Sequence, residues 1–249
     1  MTALRAKHSE NPVVWSDLET IIQGFRPWNF YNSQTILITG GSGLLASYLV
    51  RVFLLANDIY ALNLKVTCLV RSRRSSLIRL DPWLESSNLQ IVYGDAESYP
   101  YDQLERQTIV VHAASGATPR VYKSNPVGII LPNSVGTARL CWQACKWQSK
   151  RFLFFSTGEV YGLNSSPGFT ERDFGYLDPA QLRSCYAESK RCGETTCVAY
   201  SHQHGLHALS ARIFHTYGPQ MNLDDGRVFA DFIRDALDGR EIRLASSGV

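Results

Sequence analysis

No stretch of 18 apolar residues occurs in this 249-residue chain, which argues against a membrane-spanning helix. The amino terminus, Met1-Thr2-Ala3-Leu4-Arg5-Ala6-Lys7, also lacks the apolar core of a secretory signal, so the protein reads as cytoplasmic. A charge excess is missing too. The 25 Lys and Arg stand against 22 Asp and Glu, and a dispersed net charge of +3 does not point to nucleic acid. The run Arg71-Ser72-Arg73-Arg74 is the local exception. The six cysteines, Cys68, Cys141, Cys145, Cys185, Cys192 and Cys197, contain no C-x-x-C pair and read as reduced packing thiols. Cys141 and Cys145 share a helix face, but no nearby histidine completes a ligand set. The histidines are scattered, with His202, His204 and His207 at the polar end of a helix and its following turn, so metal catalysis has no support. No repeat, low-complexity segment or flexible linker divides the chain.

What the chain does contain is a glycine-rich turn, Thr39-Gly40-Gly41-Ser42-Gly43-Leu44-Leu45-Ala46, directly after the apolar run Ile36-Leu37-Ile38. Such a turn lets the backbone approach a pyrophosphate, while the helix beginning near Leu44 directs unpaired N–H groups at the anion. Ala46 at the last small position still permits close helix–strand packing. Far downstream, Tyr186 and Lys190 lie four residues apart, a spacing that puts both on one helix face. A cation beside a tyrosine favours the ionised phenol and so makes a general base. Either feature alone is common. Together they predict a nicotinamide cofactor beside a hydroxyl-oxidising tyrosine.

Strand-like apolar runs at 36–39, 66–70, 89–92, 108–112, 151–155 and 208–213 alternate with longer helical stretches. This alternation predicts an α/β fold, a doubly wound parallel sheet covered on both faces, with ligands at the carboxyl ends of the strands. Those ends carry residues 40–43, Arg71, Asp95, Ala113, Ala114, Ser115, Thr157 and His215, which should converge on one crevice. Residues 1–33 include Trp15, Leu18, Ile21, Ile22, Phe25, Trp28 and Phe30, too apolar for a solvated tail, and predict a short helix packed on the body. The organisation expected is a helical extension over 1–33 and a dinucleotide-binding domain over 34–249. Pro126, Pro132 and Pro179 should mark turns. Residues 133–148 carry Val135, Ala138, Cys141, Trp142 and Cys145 at helical spacing.

Several segments carry a resemblance: His112-Ala113-Ala114-Ser115, Tyr122 with Asn125-Pro126, Asn133-Ser134-Val135-Gly136-Thr137, Ser156-Thr157-Gly158-Glu159-Val160-Tyr161-Gly162, Arg183-Ser184-Cys185-Tyr186-Ala187-Glu188-Ser189-Lys190, Ala211-Arg212-Ile213-Phe214, Thr216-Tyr217-Gly218-Pro219 and Asp224-Asp225-Gly226-Arg227-Val228. In this order over residues 36–249 the chain resembles the extended short-chain dehydrogenase/reductases of the NAD-dependent epimerase/dehydratase family, and most of all the UDP-glucuronate decarboxylases. The resemblance implies a Rossmann fold and a redox cycle on a UDP-linked sugar. Tyr186 would take the proton from the C4 hydroxyl, Lys190 would hold the phenolate and the cofactor ribose, Thr157 would bond the same oxygen, and Glu159 would assist proton transfer at C5. Gly40, Gly43, Leu44, Leu45, Arg71, Asp95, Ala113, Ala114 and Ser115 would line the cofactor, and Ser115, His215, Arg227 and Val228 the substrate. A ketone at C4 lies β to a carboxylate at C6, which makes loss of carbon dioxide easy before reduction regenerates the cofactor. A homodimer through the outer sides of the helix at 133–148 and the Tyr186 helix is also implied.

Four departures bear on this reading. Gly158 stands where dehydratases of the group have an acid and decarboxylases usually serine, so it disfavours 4,6-dehydration and stays compatible with C4 epimerisation. His215 fills the place of an amide that usually contacts substrate, either as a changed pocket residue or as a packed structural histidine. The strand ending Cys68-Leu69-Val70 is followed by Arg71 instead of an acid for the ribose diol, which suits a 2′-phosphate. Redox-neutral chemistry favours NAD, and NADP stays open; Asp95 should contact the adenine in either case, or else cap a turn. Finally, the resemblance implies several dozen further residues beyond the segment 240–244, so the expectation is either a fragment or a shortened form with an incomplete substrate site that a partner completes. An inactive cofactor-binding scaffold is the competing expectation.

Overall fold

The computed structural model describes residues 10–71, 78–163, 168–242 and 244. Six strands, β1 (Thr35–Thr39), β2 (Lys65–Val70), β3 (Leu89–Tyr93), β4 (Ile109–His112), β5 (Arg151–Thr157) and β6 (Ala208–Ile213), form one parallel sheet in the order β3-β2-β1-β4-β5-β6. Each run anticipated from the sequence is present, with ends moved by at most two residues.

Both faces of the central strands β1, β2 and β4 are buried, successive residues pointing to opposite sides, while the edge strands β3 and β6 stay partly exposed. Ile36, Ile38, Val66, Cys68, Val70, Ile109 and Val111 face one cluster, under α1 (Pro12–Gly24) and α2 (Leu44–Tyr60). Leu37, Leu69, Val110, Phe152 and Phe154 face the other, under α5 (Thr137–Trp147) and α6 (Ser184–His204). Truncating a fully buried residue such as Leu37 to Ala would cost ~2–5 kcal/mol.

The apolar segment before β1 folds as α1, whose first turn is capped by the Asn11 side chain, accepting from Val13 N and Val14 N, with Pro12 at the first helical positions. Val14, Trp15, Leu18 and Ile22 are buried against the body, whereas Ile21, Phe25 and Phe30 stay about two-fifths exposed. α6 ends at Gly205 in the left-handed region, with His202 and His204 in its last turn and His207 just beyond.

Two expectations need correction. Pro132 does not mark a turn, and the helix does not begin at Asn133. Short helices α3 (Pro119–Ser124) and α4 (Val127–Leu131) precede a π-helical turn, Pro132–Gly136, that runs straight into α5. Proline is tolerated there because the wider turn relieves the backbone conflict that it would cause in a regular helix. The buried Asn133 at this turn donates from Nδ2 to Ser189 Oγ (3.0 Å), tying it to α6. The last described helix, α7 (Val228–Leu237), packs Ala230 inward. Among the described residues no helix is long and apolar enough to cross a membrane, and no group of three His, Cys, Asp or Glu gathers for a metal.

Candidate active site

Strand order reverses between β1 and β4, and two cavities open there at the carboxyl ends of the strands. The smaller, of about 240 Å³, is bounded by Gly40, Ser42, Arg71, Arg79, Gly94 and Glu97. The larger, of about 500 Å³, is bounded by Leu44, Thr157, Glu159, Tyr186, Lys190 and Arg227, among others. Gly43, Ala113 and Ser115 belong to both, so the two form one crevice.

The glycine turn has the shape that a dinucleotide needs. Gly40 has φ 67°, and a Cβ on it would lie 2.7 Å from Ala114 Cα. A side chain on Gly41 would collide with Cys68 Sγ. The turn is closed by Gly40 N donating to Leu69 O and Gly43 N donating to Gly40 O, each at 2.8 Å. No side chain caps α2 at Gly43, so the first N–H groups of the helix, near Leu44 and Leu45, are free to meet an anion. At the junction of the cavities the Ser115 hydroxyl is buried without a protein partner. These features fit a pyrophosphate and its ribose on both sides.

Arg71 lines the smaller cavity; Ser72, Arg73 and Arg74, the rest of its basic run, lie outside the described residues. Asp95 is not brought into the lining. It is exposed, its carbonyl accepts from Ser98 N (3.1 Å) and Tyr99 N (2.9 Å), and Gly94 and Ala96 on either side face the cavity instead. Its backbone carbonyl, not its carboxylate, closes the turn after β3. Arg79 and Glu97 were not singled out in the sequence, since no motif marks them.

In the larger cavity Tyr186 sits in the first turn of α6, 7% exposed, its ring stacked on Tyr122 with centroids 5.1 Å apart. Burial pushes the phenol pKa up, while a hydrogen bond from Thr157 and the charges of Arg227 and Arg183 pull it down. Lys190 lines the same cavity: its ammonium lies 5.9 Å from the Tyr186 ring centroid and donates to Phe155 O at 2.5 Å. Helical spacing puts the two on one side of α6, but a buried ammonium takes the nearest carbonyl. It also lies 4.7 Å from the Phe154 ring centroid. Burial lowers its pKa to about 7 against the attraction of Glu194.

Beneath it His112 donates from Nε2 to Pro132 O (2.9 Å) and accepts on Nδ1 from the Thr39 hydroxyl (2.7 Å). The carbonyl partner requires the proton on Nε2, and burial with Lys190 nearby lowers its pKa to about 3, so the ring is neutral.

Glu159 is held in a bidentate pair by Arg183, at 2.7 and 2.8 Å. The same guanidinium lies 4.5 Å from the Tyr122 ring centroid, giving a layered Arg183–Tyr122–Tyr186 stack. Arg183 belongs to the segment that ends in Tyr186 and Lys190, a signal that sequence reading left unassigned. A Cβ on Gly158 would lie 2.7 Å from the Phe214 ring, so the ring occupies the space that a side chain would need.

His215 is exposed to the cavity, 6.3 Å from the Phe229 ring centroid, and is not a packed structural histidine. Arg227 reaches the same cavity from beside Asp225 (3.5 Å) and donates to Ala117 O (2.9 Å); Val228, 63% exposed, follows it.

Residues 36–249 match the family described as NAD dependent epimerase/dehydratase. The chain belongs to that family. It is 36% identical over 221 residues to UDP-glucuronic acid decarboxylase 6 of Arabidopsis thaliana, covering 88% of this chain and 61% of that protein. To UDP-glucuronic acid decarboxylase 1 of Xenopus tropicalis it is 33% identical over 213 residues, covering 86% and 48%. The chain therefore spans only about half to three-fifths of the length of these relatives. Among solved structures, dTDP-glucose 4,6-dehydratase of Streptomyces venezuelae with NAD superposes with a TM-score of 0.73 at 27% identity, covering 86% of this chain and 65% of that one. UDP-glucuronic acid 4-epimerase of Bacillus cereus with NAD gives 0.71 at 22%, covering 86% and 66%, a likeness of fold.

Proposed function

We propose that the chain is the dinucleotide-binding part of a nucleotide-sugar enzyme that oxidises C4 of a UDP-linked uronic acid, decarboxylates it and reduces the 4-keto product. The observation that carries this reading is the convergence of Tyr186 and Thr157 with the glycine turn on one crevice joined at Ser115. Gly40, Gly43, the N–H groups near Leu44 and Leu45, Ala113, Ala114 and Ser115 would hold NAD, whose nicotinamide accepts and returns a hydride. Tyr186 takes the C4 hydroxyl proton, and the hydrogen bond from Thr157, which pulls the phenol pKa down, steadies the phenolate that accepts it. Lys190, anchored on Phe155 O, sets the positive potential of the crevice floor. His215, Arg227 and Val228 line the side where the sugar nucleotide would lie, and the guanidiniums of Arg183 and Arg227 suit an anionic sugar.

Gly158, with the Phe214 ring over it, supplies no acid beside Glu159, which speaks against 4,6-dehydration and is compatible with C4 epimerisation as well as with this reading. The exposed Trp142 on α5 and Val198 on α6 support a homodimer through these two helices, which sedimentation at low micromolar concentration tests. The deciding experiment incubates the protein with UDP-glucuronate and NAD and follows carbon dioxide and the product mass. Carbon dioxide release supports decarboxylation, a mass-neutral isomer supports epimerisation, and bound NAD with no product supports an inactive scaffold.

A further inference from the structure

The loop at 214–227 leaves β6 and supplies His215 and Arg227 to the sugar side of the crevice, yet its middle is fastened to the cofactor side. The fastening is one residue, Gln220. Its carbonyl accepts from Arg79 Nε (3.1 Å) and Nη2 (2.8 Å), and its side-chain Oε1 accepts from Arg51 Nη2 (2.6 Å). Arg79 spends its remaining terminal nitrogen, Nη1, on Ser42 O (2.9 Å) inside the glycine turn, and it lines the smaller cavity itself. Arg51 stands on α2, the helix that the same turn opens, and is fully buried 3.7 Å from Glu10 Oε2. Glu10 in turn accepts from Trp83 Nε1 (3.0 Å).

This arrangement is costly. Gln220 adopts φ 65°, a left-handed conformation that strains a residue with a side chain. Arg51 Nε and Nη1 are buried with no hydrogen-bond partner. Such a geometry persists only where the surroundings over-determine it, and here two guanidiniums from separate elements converge on a single loop residue. Arg79 and Arg51 lie 141 and 169 residues from Gln220, and Arg79 lies 37 residues from Ser42, so no local propensity explains the contact.

We propose that Arg79 and Gln220 form a clasp through which the occupied glycine turn fixes the loop that carries His215 and Arg227. Both are positioning residues: Arg79 reads the state of the turn through Ser42, and Gln220 passes it to the sugar side. Dinucleotide binding therefore orders a loop that the dinucleotide itself need not touch. The inference rests on the reading that the crevice holds NAD.

The test is amide hydrogen exchange over 214–227, with and without saturating NAD, with binding measured separately by calorimetry. In the wild-type chain NAD should slow exchange in this loop by about tenfold. Gln220→Gly accommodates the left-handed backbone and removes the Arg51 contact; Arg79→Met removes the link to Ser42. Both variants should bind NAD at saturation and melt cooperatively, but exchange in the loop should no longer respond to it. Gln220→Glu, which keeps the reach to Arg51, should restore the response. Equal protection in the wild type and both variants, or an unresponsive loop in wild-type protein with NAD bound, overturns the clasp alone. A chain that binds no NAD overturns both the clasp and the reading beneath it.

Discussion

The two halves of the crevice are built by different means. The adenosine side is mostly backbone: Gly40 at φ 67°, the short turn closed by Gly43 N donating to Gly40 O and the open N-terminus of α2 come from one stretch of about ten residues. The sugar side is mostly side chains brought from far apart, Thr157 from β5, Arg183 and Tyr186 from the start of α6, and His215 and Arg227 from the loop after β6. A backbone site tolerates change poorly but is specified locally. A side-chain site can be retuned residue by residue and depends on every element that aims it.

The sharpest way to separate the halves is Tyr186→Phe. Removing the proton acceptor should lower turnover by roughly 10³-fold while NAD affinity, measured by fluorescence titration, changes little. Turnover within tenfold of wild type would break the assignment. Gly40→Ala attacks the other half. With Cβ forced against Ala114 in a left-handed turn, about 2 kcal/mol is lost, so NAD affinity should fall roughly 30-fold, and substrate chemistry should recover at saturating cofactor. A smaller effect is expected for Arg183→Met, which frees Glu159 and uncovers Tyr122. Its loss should appear mainly in KM for an anionic sugar nucleotide, roughly tenfold, with kcat changed less.

The smallest effect is one of stability. Lys190 gives up its proton in the folded chain near pH 7 but keeps it in the unfolded chain up to the ordinary value of 10.5. Between these values the unfolded state binds more protons, so folding gains stability as pH rises through the window. Lys190→Met removes this dependence. Its melting temperature relative to wild type should therefore be most favourable at pH 7 and fall by a few degrees towards pH 10. A difference that stays flat over this range would mean that the ammonium is not desolvated.

Legibility in the sequence followed the same division. The doubly covered parallel sheet was within reach because Leu37 and Ile38, or Val110 and Val111, are apolar in succession, as in strands buried on both faces. The turn was legible because glycines there answer a steric demand of the backbone. The direction of Lys190 was not, because spacing on α6 says which side a residue occupies and nothing about Phe155 O competing for its ammonium. The place of Asp95 outside the cavity lining has a related reason: the turn after β3 puts Gly94 and Ala96 there instead. Pro132 was read as a break because proline ends ordinary helices, while the π-helical turn that admits it is stabilised by contacts to α6.

By itself, the sequence determined the alternation of strand and helix, the place of the glycine turn and the helix register that sets Tyr186 and Lys190 on one side. Each follows from short-range sterics and periodicity, which neighbours in the chain suffice to define. Only the tertiary structure decided that Arg183 holds Glu159, that Phe214 covers Gly158 and that Arg51 and Arg79 meet at Gln220. Those are competitions among buried charges and rings for a few partners, and the winner depends on which distant segments the folded sheet brings within reach.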